Sequence, residues 1–164
     1  MLPTVPKPSS GPATPASAVR SSVFDWPIQA IRRYAETKAT RQLEVLAEGG
    51  SVRERLRDLM LGVIETDLAD PGRRGCLALN AATETSGRTG EVAGLVHQQF
   101  ADLEEALAQL IAIGQRTGEL STDRPPLQVA RAFQSAYYGL RVLAKVTSDK
   151  RALVDVVDGS IAAL

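Results

Sequence analysis

One cysteine, one histidine and one tryptophan in 164 residues leave little with which to build a reactive or metal-holding centre. A disulfide within the chain needs two cysteines, so Cys76 cannot form one, and this is the usage expected of a reducing compartment such as the cytoplasm. His97 has no second histidine and no spaced carboxylate pair beside it on its helix, so no metal site is expected. Charge of one sign is also missing: 19 Lys and Arg balance 19 Asp and Glu, so no net field draws the chain onto nucleic-acid phosphates. No run of eighteen apolar residues occurs, which excludes a membrane-spanning helix, and Met1 to Ser22 has no signal-peptide pattern. Phosphate-binding glycine loops, nucleophile elbows and Cys or His clusters are absent, so neither an enzyme nor a cofactor is expected. Glu104 and Glu105, neighbours on one helix, point about 100° apart and do not make an acid/base pair.

Aromatic residues supply only 4% of the chain, while Ala, Leu, Arg and Glu abound, a composition that favours an all-α fold. Residues 1–23 hold Pro3, Pro6, Pro8, Pro12 and Pro15 among small polar residues and read as a disordered tail; residues 24–164 read as one domain. Asp25 and Pro27 open a first helix that runs to about Leu46. After Gly49 and Gly50, Ser51 and Glu54 form a capping box, and Leu56, Leu59, Met60, Val63, Ile64 and Leu68 make the buried face of a second helix that ends at Asp70-Pro71-Gly72. Gly75 to Ala82 predicts a short helix, and Thr89 opens a long one whose apolar positions repeat at three and four until Gly118. Pro125 and Pro126 start a fifth helix, and Ser148 or Asp149 a sixth.

Three ordered motifs carry a resemblance. Gly75-Cys76-Leu77-Ala78-Leu79-Asn80, then Gly114-Gln115-Arg116-Thr117-Gly118-Glu119-Leu120, then Gly139-Leu140-Arg141-Val142-Leu143-Ala144 resemble the C-terminal domain of TetR/AcrR transcriptional regulators. Phe24-Asp25-Trp26-Pro27 with the following Ile31 to Glu36 is similar to the family's entry into its long connecting helix. The resemblance implies about six helices, with the last two forming a four-helix bundle in a homodimer, and a small, mostly apolar effector held between helices. The prolines of the tail forbid the recognition helix of a helix-turn-helix there, so DNA is a partner only if an upstream helix-turn-helix lies outside this chain.

The candidate effector pocket consists of Met60, Val63, Phe100, Leu103, Leu107, Phe133 and Tyr137, each of which fits packed core equally well. The fifth helix is apolar around more of its circumference than one core needs. Val129, Phe133, Tyr137, Leu140 and Ala144 face the core, while Ala132, Ala136, Gly139, Leu143 and Val146 lie about 100° away and are assigned to dimerisation, with Leu153, Val156, Val157 and Ile161 of the last helix. The leading function is the effector-binding and dimerisation domain of a repressor. The alternatives are a dimerisation partner that inactivates an intact paralogue by supplying no DNA-binding head, and a small helical ligand carrier.

Overall fold

The computed structural model describes residues 41–84 and 90–164, together with Gln29, Arg33 and Thr37. Six helices and no strand occur among them: α1 (residues 41–47), α2 (Val52–Ala69), α3 (Leu77–Glu84), α4 (Glu91–Arg116), α5 (Pro126–Val146) and α6 (Lys150–Ala162). The Pro-rich tail, the domain boundary at residue 24, the start of the first helix and the expected opening at Thr89 lie outside the described residues.

The helix ends obey the local chemistry. Ser51 Oγ accepts from the Glu54 N–H at 3.1 Å and the Ser51 N–H donates to Glu54 Oε2 at 3.0 Å, the reciprocal box that starts α2. Pro126 occupies the first turn of α5, where its missing N–H costs nothing. Asp149 caps α6 by accepting from the N–H groups of Arg151 and Ala152.

α5 packs against α2, α4 and α6, and α3 lies on α4. The main core joins Leu56, Met60 and Ile64 of α2, Leu107 and Ile111 of α4, Tyr137 and Leu140 of α5, and Leu153 and Val157 of α6, all nearly or wholly buried. A smaller cluster forms where Ala81 of α3 meets Val96 of α4. All five residues expected on the inner face of α5 are buried.

Two sequence-based expectations need correction. Leu68 is only half-buried; the stripe that runs through Met60, Val63 and Ile64 continues instead at Asp67, which the structure buries. An ion at that place is tolerated because α5 supplies a cation for it. Leu153 and Val157, assigned to the contact between chains, lie at 1% and 0% exposure inside the protomer, since α6 turns them onto the core it shares with α2 and α5. Val156 and Ile161 are half-buried at its margin.

The turn between α4 and α5 shows why one family-like motif has its sequence. Gly114 O accepts from the N–H groups of Glu119 and Leu120, and Gly118, at φ +78°, takes the left-handed conformation that lets the chain reverse. Leu120 then folds back onto Gly114. Glu119 turns its carboxylate to the start of α2, accepting from Val52 N at 2.8 Å and Arg53 N at 2.7 Å, while Arg53 donates to Ile161 O at 2.7 Å. The turn thus holds the beginning of α2, and Arg53 ties that beginning to the end of α6.

Partial burial works against the Glu119 ion, yet the N–H groups of Arg53 and Val52, with Ser51 and the Arg53 charge, outweigh it and hold the carboxyl below its ordinary value. A lowered folded value means that this contribution is whole above the ordinary value of 4.5 and is lost as pH falls through the lowered one. Glu119→Ala is expected to cost about 1 kcal/mol at neutral pH, as loss of a helix cap does. Urea unfolding at neutral and at acid pH checks this: the gap between variant and wild type should narrow in acid.

Candidate functional site

A polar chain runs through the middle of the apolar core. Arg141 of α5 donates from one terminal nitrogen to Asp67 Oδ1 of α2 at 3.0 Å, and the two side chains are 6% and 4% exposed. Its other terminal nitrogen donates to the Tyr137 hydroxyl at 3.2 Å, one helical turn back, and the guanidinium lies 5.9 Å from the Tyr137 ring centroid. Tyr137 Oη also accepts from Gln42 Nε2 of α1 at 2.6 Å. Burial pushes the Tyr137 phenol up and Arg141 only partly offsets this, so the group is neutral at physiological pH. Three helices are therefore tied by one line of hydrogen bonds: α1 through Gln42, α5 through Tyr137 and Arg141, and α2 through Asp67.

Two cavities border this line, and both are lined by Arg141 and Thr66. The first, about 100 Å³, lies between α1, α2 and α5, with Arg41, Gln42, Val63 and Tyr137 in its walls. The second, about 780 Å³, lies where α2 ends and α3 begins, with Asp67, Asp70, Arg74, Leu77 and Asn80 in its walls. The loop beneath it is held by side chains that reach the end of α5. Arg73, at φ +47°, donates to the Ala144 and Thr147 carbonyls at 2.8 Å each, satisfying acceptors that a helix terminus leaves open. Lys145 Nζ donates to Asn80 Oδ1 at 2.8 Å, and its carbon stem crosses Gly75, where an added Cβ would stand 3.1 Å away.

A third cavity, about 340 Å³, opens between α5 and α6 and is lined by Ala132, Phe133, Ala136, Val156 and Gly159 among others. Beside it α5 shows an outward apolar strip in which Leu127, Val142 and Leu143 are exposed and Val146 is 80% exposed. Ala132 and Gly139 are exposed with them, and a Cβ at Gly139 or Gly159 would meet nothing. The protomer's own packing therefore does not require these glycines.

Of the seven residues assigned to an effector pocket, Met60, Leu103 and Leu107 are closed into the core and line none of these cavities. Val63 and Tyr137 reach the first cavity and Phe133 the third. Phe100 stands apart, its ring stacked on Tyr138 at 4.4 Å between centroids. Asp67, Arg141 and Gln42 were not singled out from sequence. His97 is exposed, Cys76 is a buried free thiol, and Glu104 pairs with Arg131 at 3.0 Å while Glu105 accepts from Gln109. No group of three potential metal ligands forms among the described residues.

Comparison with known proteins places this arrangement. Residues 47–159 match the model of the tetracyclin repressor-like C-terminal domain. The uncharacterized HTH-type transcriptional regulator YezE of Bacillus subtilis (strain 168) is 31% identical over 139 residues, which are 84% of this chain and 71% of that protein. Among solved structures, the regulatory protein TetR from Rhodobacter sphaeroides superposes with a TM-score of 0.74 at 25% identity, over 84% of this chain and 74% of that one. The reduced form of NemR from E. coli superposes with a TM-score of 0.69 at 18% identity, over 82% and 69%. The chain belongs to the TetR family of transcriptional regulators, and the helices α2 to α6 form the C-terminal domain of that family.

Proposed function

We propose that this domain senses a small molecule beside Arg141 and pairs with a second copy of itself through the outer faces of α5 and α6. The observation that carries the sensing role is the buried Gln42–Tyr137–Arg141–Asp67 line with a cavity on each of its flanks. A ligand that touches this line acts on α1, the helix lying farthest toward the N-terminal side of the domain. Binding that favours one placement of α1 over another shifts the population of the two by its differential affinity. In a full-length regulator such a shift would change the spacing of paired DNA-binding heads. The apolar wall expected from sequence is only partly available here, because most of it is occupied by core packing. The ligand best suited to the site carries a polar group.

Pairing is supported by the outward strip of α5, where Leu143 and Val146 stand in solvent next to Ala132, Ala136 and Gly139. Small residues on an outward face, with open space at Gly139, allow a second helix to approach closely. The wild-type chain is expected to sediment as a dimer at about 10–50 µM, and Gly139→Arg as a folded monomer, because the long charged side chain enters the contact without disturbing the protomer. Sedimentation velocity with circular dichroism checks both. The sensing role is tested by a thermal-shift screen of small polar and apolar compounds. A domain that none of them stabilises would count against it.

A further inference from the structure

We propose that α3 is a flap over the 780 Å³ cavity, rooted at Arg73, pivoting at Gly75 and latched by Lys145. Such a flap controls how the cavity opens whatever fills it, so it does not depend on the sensing role proposed above. Gly75, Leu77 and Asn80 form the movable wall of that cavity, and Thr66, Asp67 and Arg141 the wall that stays with α2 and α5. α3 is weakly held for a helix inside a domain. Of the helices α2 to α6 it packs closely on α4 alone, in the small Ala81–Val96 cluster that is separate from the main core. Of its eight residues only Ala78 and Ala81 are buried, and each of those side chains is a single methyl group. Lifting α3 therefore exposes little apolar surface, the condition under which a segment opens at far less cost than global unfolding.

The loop before α3 has the parts of a hinge. Arg73 holds a left-handed backbone, φ +47°, that is unfavourable for a residue with a side chain, and its guanidinium offsets the strain by donating to Ala144 O, Thr147 O and Ser148 Oγ. The root is thereby fixed to the end of α5. Two residues on, Gly75 is left-handed too, at φ +64°, and lacks the Cβ that would resist rotation there. Rotation about Gly75 carries Cys76 and α3 with it and leaves Arg73 in place.

Lys145 closes the assembly. Its stem lies over Gly75, 3.1 Å from where a Cβ would stand, and its Nζ donates to Asn80 Oδ1 at 2.8 Å, so one α5 side chain covers the pivot and holds the moving helix. Asn80 Nδ2 donates in turn to Arg74 O at 2.8 Å, on the root side of the pivot. A swing about Gly75 breaks both bonds together, so the flap is either latched or free. Cys76, the single cysteine of the chain, is 4% exposed and is the first residue past the pivot. Its thiol is covered when the flap is shut and reachable when it is open.

The test labels Cys76 in the whole chain with the bulky disulfide dithiobis(nitrobenzoate) and with the smaller iodoacetamide, over urea concentrations below the unfolding transition. Opening of α3 alone should give labelling by both reagents that rises little with urea, since the step exposes few residues. Lys145→Met keeps the stem and removes the bond. It should speed both reagents by about fivefold, as loss of one hydrogen bond does, while the urea midpoint of the domain stays close to wild type. Asn80→Ala, which cuts the same bond from the other side, should speed them at least as much. Val157→Ala in the main core should do the reverse, lowering the midpoint and leaving the labelling rate in urea-free buffer unchanged. Labelling that follows the urea slope of global unfolding, or that Val157→Ala accelerates as much as Lys145→Met does, would overturn the flap. An unchanged rate in both latch variants would overturn it as well. So would acceleration of iodoacetamide alone, because the gap would then be too narrow to open the cavity.

Discussion

Arg141→Met should lower the stability of the domain by about 3–5 kcal/mol, because it leaves the Asp67 carboxylate buried without its cation. That is a large share of the roughly 5–15 kcal/mol that holds a domain folded, so the variant should melt far below wild type. The loss comes from the stranded ion and from the Tyr137 hydroxyl that Arg141 no longer meets, more than from any net attraction within the pair. The double variant Asp67→Leu with Arg141→Met removes both charges and puts apolar volume in their place. It should regain most of the stability, as buried ion pairs elsewhere commonly do. Urea unfolding of the three proteins measures the coupling directly. A double variant as unstable as Arg141→Met would mean that the pair itself, and not the uncompensated charge, sustains the core. If the pair instead serves ligand sensing, the stable double variant should fold and pair yet fail to respond to a ligand.

Gly114→Ala should cost about 2–3 kcal/mol, at the upper end of overpacking penalties. An added Cβ would stand 2.8 Å and 2.9 Å from two carbons of Leu120 and 3.2 Å from Val52. Leu120 cannot swing aside cheaply, since it is 4% exposed and packed into the core where the α4–α5 turn returns. Moving it would drag the turn whose Glu119 carboxylate caps α2, so the loss should exceed that of Glu119→Ala. Gly118→Ala should also destabilise, for a different reason: the backbone there is left-handed but the space is open. Thermal and urea unfolding of both variants, alone and combined with Leu120→Ala, separates the two causes. Removing Leu120 should rescue Gly114→Ala and not Gly118→Ala.

How far the sequence could be read differs from element to element. The capping box at Ser51 and Glu54 and the prolines that open α5 act within a few residues, so they were legible without knowing the fold. The inner face of α5 was legible for a related reason, since helical spacing alone aligns Val129, Phe133, Tyr137, Leu140 and Ala144. Asp67 and Arg141 were passed over because charged side chains are usually solvated, and the partner of each lies 74 residues away. A signal was present all the same: Asp67 continues the series from Met60 and Ile64, and Arg141 follows Tyr137 by four. A charge that interrupts an apolar stripe on each of two helices is a reason to pair them. Leu153 and Val157 were assigned to the wrong neighbour because periodicity shows that a helix has an apolar face and not which helix covers it. The role of Gly114 needed Leu120 in place above it. The expected effector pocket suffered from the same ambiguity, since the side chains that would line a void also fill one.

The turn at Glu119 gives α2 a mechanical character. Its first residues are anchored, by the Glu119 carboxylate on two N–H groups and by Arg53 reaching the end of α6. Its far end carries the ion pair between Asp67 and Arg141, about 22 Å along the helix axis at 1.5 Å per residue. Between these two points Leu56, Met60, Val63 and Ile64 are packed into the core, so the helix is a braced strut that joins the clamp at Glu119 to the end where both cavities border Thr66 and Arg141. Loosening the clamp at Glu119 would therefore be felt by the strut as one piece, buried face and far end together.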